Sequence, residues 1–178
     1  PYVAEMVRRE MLSRYGEETY TAGLQVVTSI DSHLQKAANY AVRNGLLEFT
    51  RRRGYRGPIT TIELPPELPG LEIAEWPDET LEVLDQYAPG GLSIALVTQV
   101  NENNSADIVF RDGTAATIPW RRISWAKPFI DRETTGPAPE AAAEVLKAAD
   151  DIYVMPTSAG FWALAQVPEA QGALVSVD

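Results

Sequence analysis

The chain has 178 residues, a formal net charge of −10, no cysteine and a single histidine. This composition excludes disulfides and cysteine- or histidine-based metal clusters, and the acidic balance disfavours nucleic acid as a partner, because phosphate contacts require a basic surface. No run of about 18 apolar residues is present to span a membrane. We therefore expect no cofactor, no metal and no membrane span in this chain, of which 45% is hydrophobic.

The first third of the chain predicts a helix, a strand and a second helix. Apolar residues recur at every fourth position from Val3 to Tyr15, which is typical of a helix. Positions from Leu24 to Ile30 alternate in the manner of a strand. Asp31 then stands where a side-chain oxygen caps a helix. We expect that helix to end in the arginines of residues 51–53, where cations meet the negative end of the helix dipole.

The amino-acid composition changes in the middle of the chain. Prolines interrupt it between Gly57 and Pro77, so this stretch predicts a mostly extended linker with one strand at Ile59–Leu64. Residues 78–86 predict a short helix. Three strands are predicted after it, at residues 92–100, 106–110 and 114–120. Asp112–Gly113 joins the last two strands as a hairpin turn, since both residues tolerate positive φ.

The C-terminal part predicts a helix from Pro139 to Ala149, followed by short strands at Ile152–Met155 and Phe161–Val167. Short antiparallel strands separated by turns suggest a small barrel, and a five-stranded OB-like barrel with a helix before its last strand fits this count. The predicted fold class is therefore α+β and β-rich, with a small OB-like antiparallel barrel inserted between flanking helices and strands of an incomplete domain.

The two ends of the chain read as pieces of one domain that surrounds a different, inserted domain. The N-terminal piece is Gly23–Gly45 and the C-terminal piece is Phe161–Asp178. The chain starts on Pro1 and stops on an apolar strand. We therefore expect it to be cut from a larger protein.

The order of several segments carries a family resemblance. The chain opens with PYVAEMVRREMLSRYGEE, continues with GLQVVTSIDSHLQKAANYAV and RRGYRGP, and closes with ALAQVPEAQGALVSVD. In this order the segments resemble the region between the two catalytic domains of class A penicillin-binding proteins of the 1A subtype. The resemblance covers nearly the whole chain, is strong at both ends and around residues 120–126, and is weak from Glu63 to Pro89.

The resemblance implies three parts. Residues 1–57 would be the linker and first transpeptidase elements, residues 58–156 the OB-like insert, and residues 157–178 the returning transpeptidase strands. The parent protein is expected to be a peptidoglycan glycosyltransferase and serine-type DD-transpeptidase, anchored in the bacterial inner membrane and acting on its periplasmic side. The insert is expected to be a non-catalytic docking surface for an outer-membrane lipoprotein activator or other cell-wall synthesis proteins, with peptidoglycan as a further ligand.

One string, Ser124-Trp125-Ala126-Lys127, matches the Ser-x-x-Lys motif of that family's transpeptidase. The companion Ser-x-Asn and Lys-Thr/Ser-Gly motifs do not occur, and Pro128 biases Lys127 away from a helix. We expect no catalytic residue in this chain. A Ser-Lys acyl transferase using Ser124 and Lys127 remains an alternative, as does an OB domain that binds oligosaccharide or single-stranded nucleic acid.

Four residues are candidates for partner binding: Trp120, Arg121, Arg122 and Trp125. Tryptophan and arginine are over-represented in interface hot spots, although both tryptophans also suit the barrel core. A second basic cluster, residues 51–56, predicts either a phosphate or glycan site or a solvated helix end. The acidic stretch from Glu63 to Asp85 predicts a solvated surface, and His33 an exposed side chain.

Overall fold

The computed structural model describes residues 2–61, 76, 78–157 and 160–174. The chain divides into two compact units, Pro1–Ala38 and Asn39–Asp178. Among the described residues, no helix combines the length and the apolar character that crossing a bilayer requires.

The first unit is built around helix α1, Tyr2–Tyr15, which confirms the predicted helix. A 3₁₀ turn follows at Gly16–Tyr20. The predicted strand at Leu24–Ile30 is wrong, because the structure has no regular secondary structure there. A strand exists only when a neighbour satisfies its backbone groups, and no described segment pairs with these residues. The side chain of Val27 accordingly remains 95% exposed.

Helix α2 runs from Ser32 to Arg52 and ends in the arginines as predicted. The carboxylate of Asp31 caps it, accepting hydrogen bonds from the backbone N–H of His33 at 2.7 Å and of Leu34 at 3.0 Å. This confirms the predicted cap.

One antiparallel sheet dominates the second unit. Its strands are β1 (Thr60–Thr61), β2 (Ser93–Val100), β3 (Ala106–Val109), β4 (Ala115–Ile118), β5 (Asp150–Pro156) and β6 (Trp162–Leu164). The strand order is β1-β5-β2-β3-β4, and β6 also pairs with β5. Since β2 occupies one edge of β5, the strands β1 and β6 share its other edge, β1 beside Asp151 and β6 beside Val154.

The α+β class with an antiparallel, β-rich middle is confirmed. Within the described residues no ladder of hydrogen bonds joins β4 back to β1 or β6, so the sheet is unclosed. OB folds are commonly partly open barrels, and this sheet is of that kind.

Two local predictions between the strands had opposite outcomes. The Asp112–Gly113 turn is confirmed: Gly113 has a φ of 82°, and the Asp112 carboxylate accepts a hydrogen bond from the Thr114 N–H at 2.9 Å. The predicted helix at Pro139–Ala149 is wrong, because only a 3₁₀ turn forms at Ala142–Glu144. There the Ala142 N–H donates to the side-chain oxygen of Asn104 at 3.1 Å, and Leu146 is buried in the core. Tertiary contacts override helix propensity at this site.

The predicted short helix is present as α3, Asp78–Leu84. Of the predicted strand at Ile59–Leu64, the structure shows β1, while residues 62–64 lie outside the described part. The main core lies on one face of the sheet and draws residues from β2 to β6, together with Tyr55, Ile123 and Ala126. Burial of these three ties the segments before β1 and after β4 to the sheet.

Candidate functional site

Two basic segments that are far apart in the sequence meet in the structure. Residues 51–56 and 121–132 hold eight of the fifteen lysines and arginines and a single acidic residue. We call these two segments the basic patch. Its formal charge is +7, which leaves −17 for the rest of the chain. The patch is thus a local region of positive charge on an acidic protein.

Backbone hydrogen bonds hold the two segments together on either side of Tyr55. The Tyr55 N–H donates to the Lys127 carbonyl at 2.7 Å, and the Phe129 N–H donates to the Tyr55 carbonyl at 2.9 Å. The ring of Tyr55 is buried in the core, and burial together with the charge of Asp150 raises its pKa. The buried ring of Tyr55 therefore fixes the place where the two segments pair, and this pairing does not depend on contacts between exposed side chains.

Trp125 lies at the centre of the patch. The guanidinium of Arg51 stands 5.4 Å from the centre of its ring, and the Tyr55 ring meets it edge-on at 6.0 Å. Arg51 Nη2 also lies 3.6 Å from Met155 Sδ. Trp125 packs partly against the core as well. The Trp125 ring consequently packs against the core and also makes a cation–π contact with Arg51.

The structure brings the four predicted partner-binding residues together but gives them different surroundings. Trp120, Arg121 and Arg122 form a 3₁₀ turn. Trp120 packs against the core like Trp125, and both are partly buried. Arg121 is exposed and stacks over the Phe161 ring at 5.3 Å, while Arg122 is partly buried. This turn thus combines tryptophans that pack against the core with an exposed arginine.

Several arginines of the patch have no counter-ion within the described part of the chain. Among the described residues, no carboxylate oxygen lies within 4.0 Å of the side-chain nitrogens of Arg51, Arg121 or Arg122. Burial lowers the pKa of Arg51, the charge of Arg122 lowers it further, and the charge of Glu48 opposes both. The Nε of Arg122 and the Nε1 of Trp125 are both buried without a hydrogen-bond partner among the described residues. This part of the patch therefore carries positive charge with no described carboxylate oxygen in ion-pair contact.

Two further arginines of the patch, Arg56 and Arg53, have described partners. Arg56 stacks over Phe129 at 4.0 Å and forms an ion pair with Glu169 at 2.8 Å. Arg53 stacks over Phe49 at 4.9 Å and donates to the carbonyl of Arg132. A shallow groove of about 240 Å³ lies here, lined by Phe49, Thr50, Arg53, Arg56, Arg132, Glu169 and Ala170. The sequence did not predict that arginines at this helix end stack over aromatic rings.

The structure shows no described hydrogen bond between the side chains of Ser124 and Lys127, and Lys127 is exposed. Ser124 lies in a turn, its N–H donating to the Trp120 carbonyl at 2.8 Å. No group of three or more metal-binding side chains occurs among the described residues, and His33 is exposed as predicted.

A pair of buried carboxylates lies on β5, away from these residues in the sequence. Asp150 accepts hydrogen bonds from the Thr61 hydroxyl and the Lys147 N–H, each at 2.8 Å. Asp151 is fully buried, and neither of its carboxylate oxygens has a partner among the described residues. Burial, and then the charge of Asp150, raises the pKa of Asp151 to about 7. The sequence shows only two adjacent acids; burial of both is a result of the sheet.

The predicted acidic surface from Glu63 to Asp85 lies mostly outside the described residues. Of its members that are described, Asp85 forms an ion pair with Arg111 at 3.0 Å.

Comparison with known proteins identifies the class to which this fold belongs. Residues 55–170 match the family model of the penicillin-binding protein OB-like domain. The chain belongs to this family. The matched range includes the whole described sheet and the basic patch except residues 51–54.

Individual relatives extend the similarity to both ends of the chain. Over its whole length it is 41% identical to penicillin-binding protein 1A of Pseudomonas aeruginosa and 36% identical to penicillin-binding protein 1A of Escherichia coli K12. It spans 20% of the length of each. The crystal structure of penicillin-binding protein 1A from Haemophilus influenzae superposes with a TM-score of 0.64 at 28% identity, covering 94% of this chain and 22% of that one. The resemblance drawn from the sequence is confirmed.

Proposed function

We propose that this chain is the non-catalytic OB-like docking module of a bifunctional peptidoglycan synthase, a glycosyltransferase and DD-transpeptidase that builds the bacterial cell wall. Its relatives are penicillin-binding proteins 1A, which supports a role in this process. The parent protein is anchored in the inner membrane, and this module lies on the periplasmic side. Its partner is a cell-wall synthesis protein, of which an outer-membrane lipoprotein activator is the leading candidate.

The observation that carries the proposal is the turn at residues 120–125, in which Arg121 is exposed. Arg121 lies beside the ring of Phe161, which is 46% exposed, and next to two tryptophans that pack against the core. Rigid aromatic rings and arginines held in place by a scaffold lose little entropy on binding, which is why they dominate interface hot spots. We therefore assign Trp120, Arg121, Arg122 and Trp125 to partner docking.

Site-specific photo-crosslinking in cells that make the full-length protein tests the docking role. A photo-reactive amino acid in place of Arg121 is expected to join the protein covalently to another cell-wall synthesis protein, identified by mass spectrometry. The matched control replaces Lys147, which is exposed and lies outside the basic patch. A result in which position 121 gives no adduct, or gives the same adducts as position 147, contradicts the proposal.

A fluorescent penicillin tests the non-catalytic part. The chain alone is expected to remain unlabelled. No described hydrogen bond joins the side chains of Ser124 and Lys127, and the companion motifs are missing from the sequence. Covalent labelling that disappears in Ser124→Ala would establish the acyl transferase instead.

A further inference from the structure

We propose that Arg51 and Arg122 of the basic patch bind one carboxylate of an acidic side chain on the docking partner. This inference rests on the docking function and names the chemistry of the group that is recognised. It joins a residue at the end of α2 to one in the turn after β4, so the site spans two segments about 70 positions apart in the sequence.

The first argument is the balance of donors and acceptors. Arg51, Arg122 and Trp125 offer only hydrogen-bond donors. Both arginines are partly buried, and no described carboxylate oxygen lies within 4.0 Å of their side-chain nitrogens. Buried donors in native proteins nearly always have an acceptor. A group on the partner that accepts hydrogen bonds and carries negative charge would therefore satisfy these two guanidiniums.

The second argument is that this arrangement is costly without a ligand. Burial and the charge of Arg122 both disfavour the charged form of Arg51, and the charge of Glu48 opposes them without reversing the direction. An anion placed between the two arginines reverses both effects, since it offsets the repulsion and replaces lost hydration. The planar guanidinium also suits a carboxylate, because two parallel N–H groups meet its two oxygens. Trp125 already fixes the position of Arg51, which reduces the entropy lost on binding.

The third argument selects a single carboxylate over an extended polyanion. The chain outside the patch carries a formal charge of −17. A nucleic acid or an anionic membrane extends well beyond the patch, so the remaining surface would repel it. One acidic side chain, flanked by residues that contact the aromatic rings of the turn, meets the positive region alone. The partner surface is therefore expected to combine isolated acids with apolar residues.

Fluorescence anisotropy with defined probes tests the inference. The probes are a capped peptide with two glutamates among leucines and its twin with glutamines, each carrying an uncharged dye. The chain is expected to bind the glutamate peptide at least tenfold more tightly than the glutamine twin. Arg51→Gln and Arg122→Gln are each expected to weaken that binding at least tenfold. The matched control is Arg52→Gln, which removes the same charge from an exposed neighbour, and we expect a change of less than twofold.

Four outcomes overturn the inference. They are equal affinity for the two peptides, no measurable binding of either, an equal loss in Arg52→Gln, and tighter binding of inorganic phosphate or a single-stranded oligonucleotide than of the glutamate peptide. The comparison of the two peptides on the unaltered chain needs no variant, so misfolding of a variant does not obscure it. If the chain shows no preference for the glutamate peptide while crosslinking at position 121 identifies a partner, the carboxylate site is refuted and the docking function is not.

Discussion

Gly54 and Lys127 approach so closely that no other residue fits at position 54. A Cβ atom built there stands 2.9 Å from the Lys127 carbonyl oxygen and 3.0 Å from the backbone of Phe129. Gly54 also has a φ of 95°, which residues with a side chain rarely adopt. Because the two basic segments meet at this point, the glycine allows the patch to form.

Gly54→Ala is expected to lower the free energy of unfolding by about 3 kcal/mol, since backbone strain and a clash with fixed backbone atoms add together. Gly57→Ala is the matched control. Its φ is 98°, yet nothing lies within 4 Å of its Cβ position, so we expect a loss of about 1 kcal/mol from strain alone. Urea unfolding measures both values. Equal losses would show that the close approach to Lys127 contributes nothing.

Asp151→Asn is expected to change how stability depends on pH. The pKa of Asp151 is about 7 in the folded chain against 3.8 for the free side chain, so below about pH 4 the group is neutral in both states and costs nothing. As the pH rises from 4 to 7, only the unfolded chain loses the proton, and the folded state loses stability. At 1.36 kcal/mol per pKa unit the loss is at most roughly 4 kcal/mol.

The variant should therefore match the natural chain near pH 4 and exceed its stability above pH 7, as measured by urea unfolding across this range. The exposed Asp112 provides a control, because its contribution to stability depends on pH in the opposite direction. Hydrogen bonds from Thr114 lower its pKa, so its contribution is present above the unfolded pKa and is lost as the pH falls through the folded one. A constant difference between Asp151→Asn and the natural chain at every pH would refute the assignment.

Leu164→Ala is expected to destabilise the sheet. Leu164 on β6 is fully buried in the main core, so truncation leaves a cavity and should cost about 2–5 kcal/mol. Leu174→Ala makes the same chemical change where the side chain is 65% exposed, and should alter stability by less than about 0.5 kcal/mol. Thermal unfolding distinguishes them. Similar losses in the two variants would mean that β6 does not contribute to the core.

Asp31→Ala is expected to loosen the first turn of α2. The carboxylate accepts two backbone hydrogen bonds, and its loss costs a helix about 1 kcal/mol. Asp31→Asn keeps an oxygen at the same position and should preserve the cap. Amide hydrogen exchange of His33 and Leu34 reports the difference directly, with faster exchange expected only in the alanine variant. Equal exchange in both variants would count against the cap.

Local signals in the sequence predicted those elements whose cause is itself local. The cap at Asp31 and the Asp112–Gly113 turn depend on atoms two or three residues away, and both are confirmed. Strands β2 to β4 follow from alternation and turns between neighbours. The prediction for residues 24–30 is wrong because alternation alone provides no partner for hydrogen bonding. The prediction for residues 139–149 is wrong because Asn104 and the core compete for the same backbone.

The candidate site likewise has a part that the sequence indicated and a part that only the structure revealed. From the sequence alone, the residue types at 120–125 indicated either an interaction surface or packing in the core, and docking there stays a prediction. Arg51 was assigned from the sequence to a separate basic cluster at the end of a helix. Its place beside Trp125 depends on the join at Tyr55, and no spacing between the two segments signals it.

The order of residues alone indicated the family, through the resemblance of its segments. It also determined the α+β class, the cap at Asp31 and the hairpin, because these depend on short-range geometry. The tertiary structure alone decided that two basic segments share one surface, that Asp151 is buried without a partner, and that the sheet is unclosed. These features arise from long-range backbone pairing and burial. Their energies depend on neighbours that are distant in the chain, so a local pattern does not encode them.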